Sequence, residues 1–255
     1  MRVVSLVPSW TEFLHDVGVE VVGQTKFCVH PSTAHRTVPR VGGTKNVRVD
    51  AVLDLAPDLV VCNREENDRA QIEALQAALP GRAHVEVTDV RTVRDAWVAM
   101  RHLGRITGNV SKASSWVQRI QDAWGDPRPQ LGEAGYVVWQ SPWMVAGPDT
   151  YIHDVMAWWG IANACASTAT HATDRYPTLA EDLDHGASCC DAWLLPSEPF
   201  PFSERHVQRL NDRHVASKLV DGEAFSWYGS RMAHCTAHLN EVADWVAQQG
   251  SARGL

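Results

Sequence analysis

The chain has 255 residues, a length that suits one large domain or two lobes with a core each. It is 45% hydrophobic and 21% charged, as globular proteins are, and its net charge is -7. No run of Lys or Arg interrupts this acidic balance, which excludes the basic footprint of a nucleic-acid-binding protein. No window approaches the ~20 apolar residues of a membrane span, so we expect none.

The N-terminal stretch Met1–Pro8 is too short for the core of a signal peptide and has no small-residue cleavage site. We therefore expect a cytoplasmic protein. The cysteines form no CxxC pair, which predicts free thiols in a reducing compartment. They are Cys28, Cys62, Cys165, Cys189, Cys190 and Cys235.

Strands and helices alternate along the first part of the chain. Val3–Val7 is a predicted strand, and the helix after it would be capped by Ser9 or Thr11 and ended by Gly18. The further predicted elements are a strand at Val19–Gly23, a short helix at Asp50–Leu55, a strand at Leu59–Cys62, a helix to about Leu79 and a strand at His84–Val87.

The stretch from Thr92 to about Trp124 has apolar residues at helical spacing. We expect one continuous helix here, which Gly104 and Gly108 weaken but do not end. At 1.5 Å per residue it would span about 45 Å, which is too long for an ordinary crossover and suits a connector between two lobes.

The second half repeats the alternation, which implies parallel sheets. Its predicted elements are strands at Tyr136–Trp139, Trp143–Ala146, Ala192–Leu195 and Lys218–Val220, and helices from Thr150 to Trp159, at Leu179–His185, at Ser203–Leu210 and at Arg231–Ala247. Glu65 and Glu198 each lie seven residues after an aspartate in a similar helix–strand pattern. This match favours a common plan for the two halves.

Several motifs extend over nearly the whole chain. They are Ser5–Glu12, Phe27–Pro31, Gly42–Asn46, Pro57–Val60, Asn63–Asn67, Pro142–Met144, Asp149–Ile152 and Phe225–Arg231. In these motifs the chain resembles the helical-backbone metal receptors, a cobalamin-binding-like branch of the class III solute-binding proteins for vitamin B12 and iron siderophores.

The resemblance implies an α/β fold of two Rossmann-like lobes with mainly parallel sheets, joined by one long helix, with the ligand in a cleft between the lobes. The corresponding domains are residues 1–90, 91–125 and 126–255. The ligands it implies are corrinoids, haem-like macrocycles, metal chelates or metal ions. The lack of an export signal argues against docking to an ABC transporter.

Candidate metal ligands lie in loops at the expected carboxyl ends of strands, where open parallel sheets bind ligands. Cys28 and His30 are two residues apart, so both side chains would reach one metal, with iron, zinc, copper and cobalt as candidates. A buried thiol and a loop histidine are the alternative.

Glu65, Glu66 and Glu198 would bind a metal or pair with Arg64 and Arg231. His153, in the first turn of a helix, is a further candidate.

Aromatic side chains would line the cleft, because their faces stack on flat macrocycles and cations. The candidates are Trp10, Trp139, Trp143, Trp227 and Tyr228, with Arg64, Glu65 and Arg231 as polar contacts. Packing within the loops is the alternative for each ring.

Two functions remain open at this stage. The first is a cytosolic protein that binds a metal-containing small molecule or a metal ion. The second is a metal-dependent enzyme on the same scaffold, with its metal held by His, Cys and Glu residues of the cleft. The sequence has no GxGxxG, P-loop, GxSxG or HExxH motif, so nucleotide-binding, hydrolase and zincin classes have no support.

Overall fold

The computed structural model of the chain describes residues 1–167, 174–180, 183, 190 and 192–253. Its backbone divides into two compact units. Unit 1 comprises Met1–Val90, Arg94–Ala123 and Tyr228–Ala233. Unit 2 comprises Arg91–Val93, Trp124–Trp227 and His234–Leu255. The domain limits 1–90, 91–125 and 126–255, and the cleft, stay predictions.

Unit 1 is built on a sheet of four parallel strands in the order β2-β1-β3-β4. The strands are β1 (Arg2–Ser5), β2 (Glu20–Gln24), β3 (Leu59–Asn63) and β4 (His84–Thr88). The helices around it are α1 (Pro8–Asp16), α2 (Ser32–Thr37), α3 (Val49–Asp54), α4 (Arg69–Ala78), α5 (Val93–Ile106) and α6 (Val110–Trp124). All five residues of β3 are buried, as expected for an inner strand of a parallel sheet.

Unit 2 has a second sheet in the order β6-β5-β8-β9, with β7 paired to the start of β5. Its strands are β5 (Gly132–Trp139), β6 (Met144–Val145), β7 (Ile161–Asn163), β8 (Ala192–Pro196) and β9 (Ser217–Val220). Its helices are α7 (Tyr151–Trp158), α8 (Glu204–Asn211), α9 (Gly222–Ser226) and α10 (Thr236–Arg253). Only the β5–β6 pairing is antiparallel among the described strands. The predicted α/β class with mainly parallel sheets is confirmed.

One predicted helix is wrong. The stretch from Thr92 to Trp124 forms two helices, because Gly108 adopts a φ of +75° that ends α5 before α6 begins. Gly104 has a different role, since a Cβ there would lie 2.3 Å from the Cβ of Ala113. The missing side chain therefore lets α5 and α6 pack closely.

Helix α1 begins at Pro8, and Val7 precedes it without a side-chain cap. The predicted cap at Ser9 or Thr11 is therefore wrong, because proline opens the helix without needing a backbone N–H partner. Gly18 ends this stretch as predicted, with a φ of +82°.

Other predicted bounds also change. The last helix begins at Thr236, after a 3-10 turn at Ser230–His234, instead of at Arg231. The short elements α2, β7 and α9 have no counterpart in the sequence-based prediction. Most of the helix predicted at Leu179–His185 lies outside the described residues.

The segment Tyr228–Ala233 packs on α1 within unit 1. The Arg231 guanidinium donates from Nε to Glu12 Oε2 at 2.8 Å and from Nη2 to Glu12 Oε1 at 2.7 Å. The two side chains are only 19% and 15% exposed. Gly229 has a φ of +89° and lies close to Ser9, since a Cβ on Gly229 would be 3.2 Å from the Ser9 carbonyl oxygen. This forked ion pair and close approach hold a distant part of the chain on the first helix.

We predict that Arg231→Met lowers the free energy of unfolding by about 2–3 kcal/mol, because it leaves the Glu12 carboxylate without its forked partner in a mostly buried place. Arg64→Met is the matched control, since Arg64 is 70% exposed and lies 3.4 Å from Asp89. We expect its effect to stay within about 0.5 kcal/mol. Urea unfolding of both variants measures the difference, and equal losses would contradict the role of the Glu12 pair.

A second ionic cluster ties β4 to α5 in unit 1. Glu86 Oε2 lies 3.0 Å from His84 Nε2 and 3.1 Å from His102 Nε2. Burial alone would raise the pKa of Glu86, but the hydrogen bonds and charges of the two histidines outweigh it and lower the pKa. A carboxyl with a lowered pKa stabilises the folded state when it is ionised.

This cluster predicts a loss of stability in acid. Because the folded-state pKa of Glu86 lies below the unfolded value of about 4.3, its contribution is complete above that pH and is lost as pH falls through the folded pKa. Glu86→Gln should cost about 1 kcal/mol at neutral pH and progressively less below pH 4. Glu73→Gln, an exposed carboxyl on α4, is the control. A cost for Glu86→Gln that stays constant in urea titrations from pH 7 to 3 would refute the assignment.

Candidate functional site

The carboxyl ends of the unit 1 strands carry a network of buried polar groups. The Trp10 indole N–H and the Asn63 amide donate to Thr88 Oγ1, at 2.9 and 3.1 Å. Asn63 Oδ1 accepts the backbone N–H groups of Glu65 and Glu66, at 2.8 and 3.2 Å. Asn63 thus shapes the turn that carries both glutamates.

The side chains of this turn differ in their exposure and contacts. Glu65 and Glu66 are partly exposed, and the Lys45 ammonium donates to the Glu65 carbonyl oxygen. Arg64 faces solvent and pairs with Asp89 instead of with a glutamate of the turn. The predicted pairing of Arg64 with one of these glutamates or with Glu198 is wrong, since Arg64 pairs with Asp89. Arg231 pairs with Glu12, and its predicted pairing with Glu65, Glu66 or Glu198 stays a prediction.

Cys28 and His30 lie in the loop after β2, but their environments differ. Cys28 is fully buried, and the Thr11 hydroxyl donates to its Sγ at 3.1 Å. Burial raises the pKa of the Cys28 thiol, and the hydrogen bonds from Thr11 and Thr25 offset only part of the rise. His30 is partly exposed. The structure gives Cys28 a packing role, and a shared metal stays a prediction.

The same loop exposes an apolar surface that the sequence-based site omitted. Phe27 is 50% exposed and Val29 38% exposed, with the Lys26 ammonium 4.9 Å from the centre of the Phe27 ring. A Cβ on Gly43 would lie 3.3 Å from that ring, so the ring covers Gly43. A phenylalanine inside a polar loop at a strand end was the available signal.

Unit 2 contains a group of rings that we call the aromatic cluster, namely Trp139, Trp143, Phe200, Phe202 and His206. Trp139 and Phe200 meet edge to face at 5.3 Å, and Phe200 lies 4.6 Å from Phe202. Trp143 stacks on Phe202 at 6.0 Å with 6° between the ring planes. His206 contacts both phenylalanines edge-on.

The cluster has a buried side and an open side. Trp143 and Phe202 are buried, whereas Trp139 is 44% exposed and Phe200 is partly exposed. His206 is held in place by the backbone N–H of Ser203, which donates to Nδ1 at 3.0 Å. Of the predicted rings, Trp139 is therefore the one that presents a large surface to solvent, whereas Trp143 packs on the buried Phe202. Sequence reasoning missed Phe200, Phe202 and His206.

The remaining predicted rings pack inside their units. Trp10 is fully buried and lies 4.5 Å from the ring of Tyr228 in unit 1. Trp227 is 7% exposed, and its indole N–H donates to Glu198 Oε1 at 2.6 Å in unit 2. These contacts match the packing alternative, and a direct ligand role for each of the three rings stays a prediction.

Glu198 follows β8 by two residues, as Glu65 follows β3. Its Oε1 accepts from Trp227 and from the Ser226 hydroxyl, the latter at 2.9 Å. Burial raises the pKa of Glu198; the two hydrogen bonds oppose the rise, and the charges of Glu223 and Asp221 add to it. A Cβ on Gly222 would lie 2.7 Å from Glu198 Cγ, so only glycine fits where α9 begins.

His153 stands in the first turn of α7. Asn163 Nδ2 lies 3.3 Å from its Nδ1, and burial lowers the pKa of the imidazole against the opposing charge of Asp154. Burial therefore favours the neutral imidazole. Among the described residues, no three His, Cys, Asp or Glu side chains are grouped as a metal site requires. The predicted ligands Cys28, His30, Glu66, His153 and Glu198 thus form no such group, and metal-ion binding stays a prediction.

Within the described part of the chain, no helix combines the length and apolar character that crossing a bilayer requires.

Known proteins match part of this chain in sequence. A cobalamin-binding protein of Halobacterium salinarum is 28% identical over 190 residues, which cover 71% of this chain and 50% of the relative. An uncharacterized ABC transporter substrate-binding lipoprotein of Bacillus subtilis, YvrC, is 28% identical over 122 residues, covering 47% of this chain and 38% of that protein. The chain thus spans about half the length or less of these curated relatives.

Solved structures match the fold over nearly the whole chain. The periplasmic heme-binding protein RhuT of Roseiflexus sp. RS-1 superposes with a TM-score of 0.77 at 16% identity, covering 98% of both chains. The periplasmic vitamin B12 binding protein BtuF of Vibrio cholerae gives 0.75 at 16% identity and 97% of both chains. At such identities the likeness establishes the fold alone. The family model described as periplasmic binding protein matches residues 3–181, and the chain therefore belongs to that family.

Proposed function

We propose that the chain binds a metal-containing macrocycle of the corrinoid or haem class, and that the aromatic cluster of unit 2 supplies part of the binding surface. The observation that carries the proposal is the exposed Trp139 ring, set edge to face against Phe200, which packs on the buried ring of Phe202. Large exposed aromatic surface is costly in water and is typical of a ligand site.

The names of similar proteins support this ligand class. The Halobacterium relative is a cobalamin-binding protein, and proteins with the same fold bind heme or vitamin B12. A flat macrocycle presents a large apolar face, and an aromatic ring that is already held by its neighbours loses little entropy on stacking against it. The metal of such a ligand is coordinated within the macrocycle, so the proposal does not require a metal site made by the protein.

In unit 1, the exposed rim of Phe27 and Val29 offers a second apolar surface at strand carboxyl ends. His30 lies beside it and is the candidate for an axial ligand to a macrocycle metal. Delivery of the ligand to an ABC transporter forms no part of the proposal.

Titration of the purified protein with aquocobalamin and with haemin tests the proposal. We expect quenched tryptophan fluorescence and a changed visible spectrum for at least one of them. Trp139→Ala should weaken that binding about tenfold, since loss of a stacked ring costs roughly 1–1.5 kcal/mol. Trp116→Ala, a partly exposed tryptophan of α6, should leave the dissociation constant unchanged. No spectral or fluorescence response to either macrocycle would refute the proposal.

We also propose a cytoplasmic location. Cys28 and Cys62 are buried free thiols, and reduced thiols persist in the cytoplasm. Fractionation of the native host should find the protein with cytoplasmic markers, and its thiols should react with maleimide after denaturation without a reductant. Recovery with the membrane or an extracytoplasmic fraction would contradict the location.

A further inference from the structure

Glu198 lies beside the aromatic cluster along the chain, two residues before Phe200. Its Oε1 is occupied by Ser226 and Trp227, which fixes the carboxylate in one orientation. Within the described part of the chain Oε2 accepts no hydrogen bond, and Glu198 is partly exposed. Glu198 therefore keeps one acceptor atom for a ligand that reaches the cluster.

The charge around Glu198 is negative. Glu223 and Asp221, from the start of α9, both act on it with like charge. No lysine or arginine forms an ion pair with Glu198 in the described part of the chain. A ligand carboxylate placed here would meet the like charge of Glu198, whereas an N–H donor would find an acceptor already oriented.

A buried hydroxyl beside the same helix adds a second observation. Tyr136, on β5, packs its ring 5.3 Å from that of Phe225 in α9. Its hydroxyl is fully buried and has no hydrogen-bond partner among the described residues. Burial raises the pKa of Tyr136 far above its usual value, and the charge of Glu198 adds to the rise.

We infer that Glu198 makes the site selective for a macrocycle whose rim carries carboxamides and against one whose rim carries free carboxylates. This inference rests on the proposed function and names the substrate class within it. An amide N–H donates to Oε2 of Glu198, and the Trp139–Phe200 pair holds the macrocycle face. Repulsion of carboxylates supplies the discrimination, as specificity is a difference between two affinities.

Two corrins that differ only at the rim test the inference, namely cobyrinic acid and its heptaamide, both as dicyano complexes. Wild-type protein should bind the heptaamide at least about tenfold more tightly than the acid. Glu198→Gln keeps an oxygen for Ser226 and Trp227 but removes the charge. It should reduce the ratio of the two dissociation constants about tenfold, mainly through tighter binding of the acid.

Glu204→Gln, an exposed carboxyl at the start of α8, is the control and should leave the ratio unchanged. Thermal unfolding of each variant confirms that it is folded. Equal affinity of the wild type for the two corrins, or an unchanged ratio in Glu198→Gln, would overturn the inference alone. If neither corrin nor haemin binds the wild type, the proposed function fails and this inference fails with it.

Discussion

The turn after the innermost strand of each unit is the constraint on which the candidate site depends. The carboxyl ends of parallel strands lie at the same end of the sheet. There the backbone leaves the sheet, and its N–H and C=O groups need new hydrogen-bond partners. In unit 1 Asn63 meets this need by accepting two backbone N–H groups from the turn. In unit 2 Ser197 Oγ accepts the N–H of Gly222 at 3.1 Å, and Glu198 accepts from the Ser226 hydroxyl of α9. These short polar contacts decide which side chains the turns present.

The two units use this plan for different surfaces. The turn of unit 1 leaves Glu65 and Glu66 partly exposed beside a loop that carries Phe27. The turn of unit 2 holds Glu198 by its neighbours and continues directly into Phe200 and Phe202. Glu198 cannot move without losing the Trp227 and Ser226 contacts. The backbone that leads from it to Phe200 and Phe202 is therefore anchored at this residue. Preorganisation of this kind lowers the entropy that binding must cost.

Much of the fold could be predicted from the sequence, because apolar runs such as Leu59–Cys62 and Ala192–Leu195 are strong signals that local context does not reverse. The break between α5 and α6 could not, since a glycine within a helical pattern is compatible with either outcome until its φ is known. The partner of Arg231 could not either, because Glu12 is 219 residues away in sequence. The site prediction included the exposed Trp139 but not its ring partner Phe200, whose position depends on the turn at Glu198.

Residues 228–233 belong to unit 1, although the chain on either side of them belongs to unit 2. On the ribosome, which releases the N-terminal part first, residues 1–123 emerge before the segment that carries Gly229 and Arg231 exists. Unit 1 must therefore wait for most of unit 2 to be synthesised before Glu12 acquires its partner. Until then the first helix carries an incomplete surface, so the final packing of unit 1 is a late event in the biosynthesis of the protein.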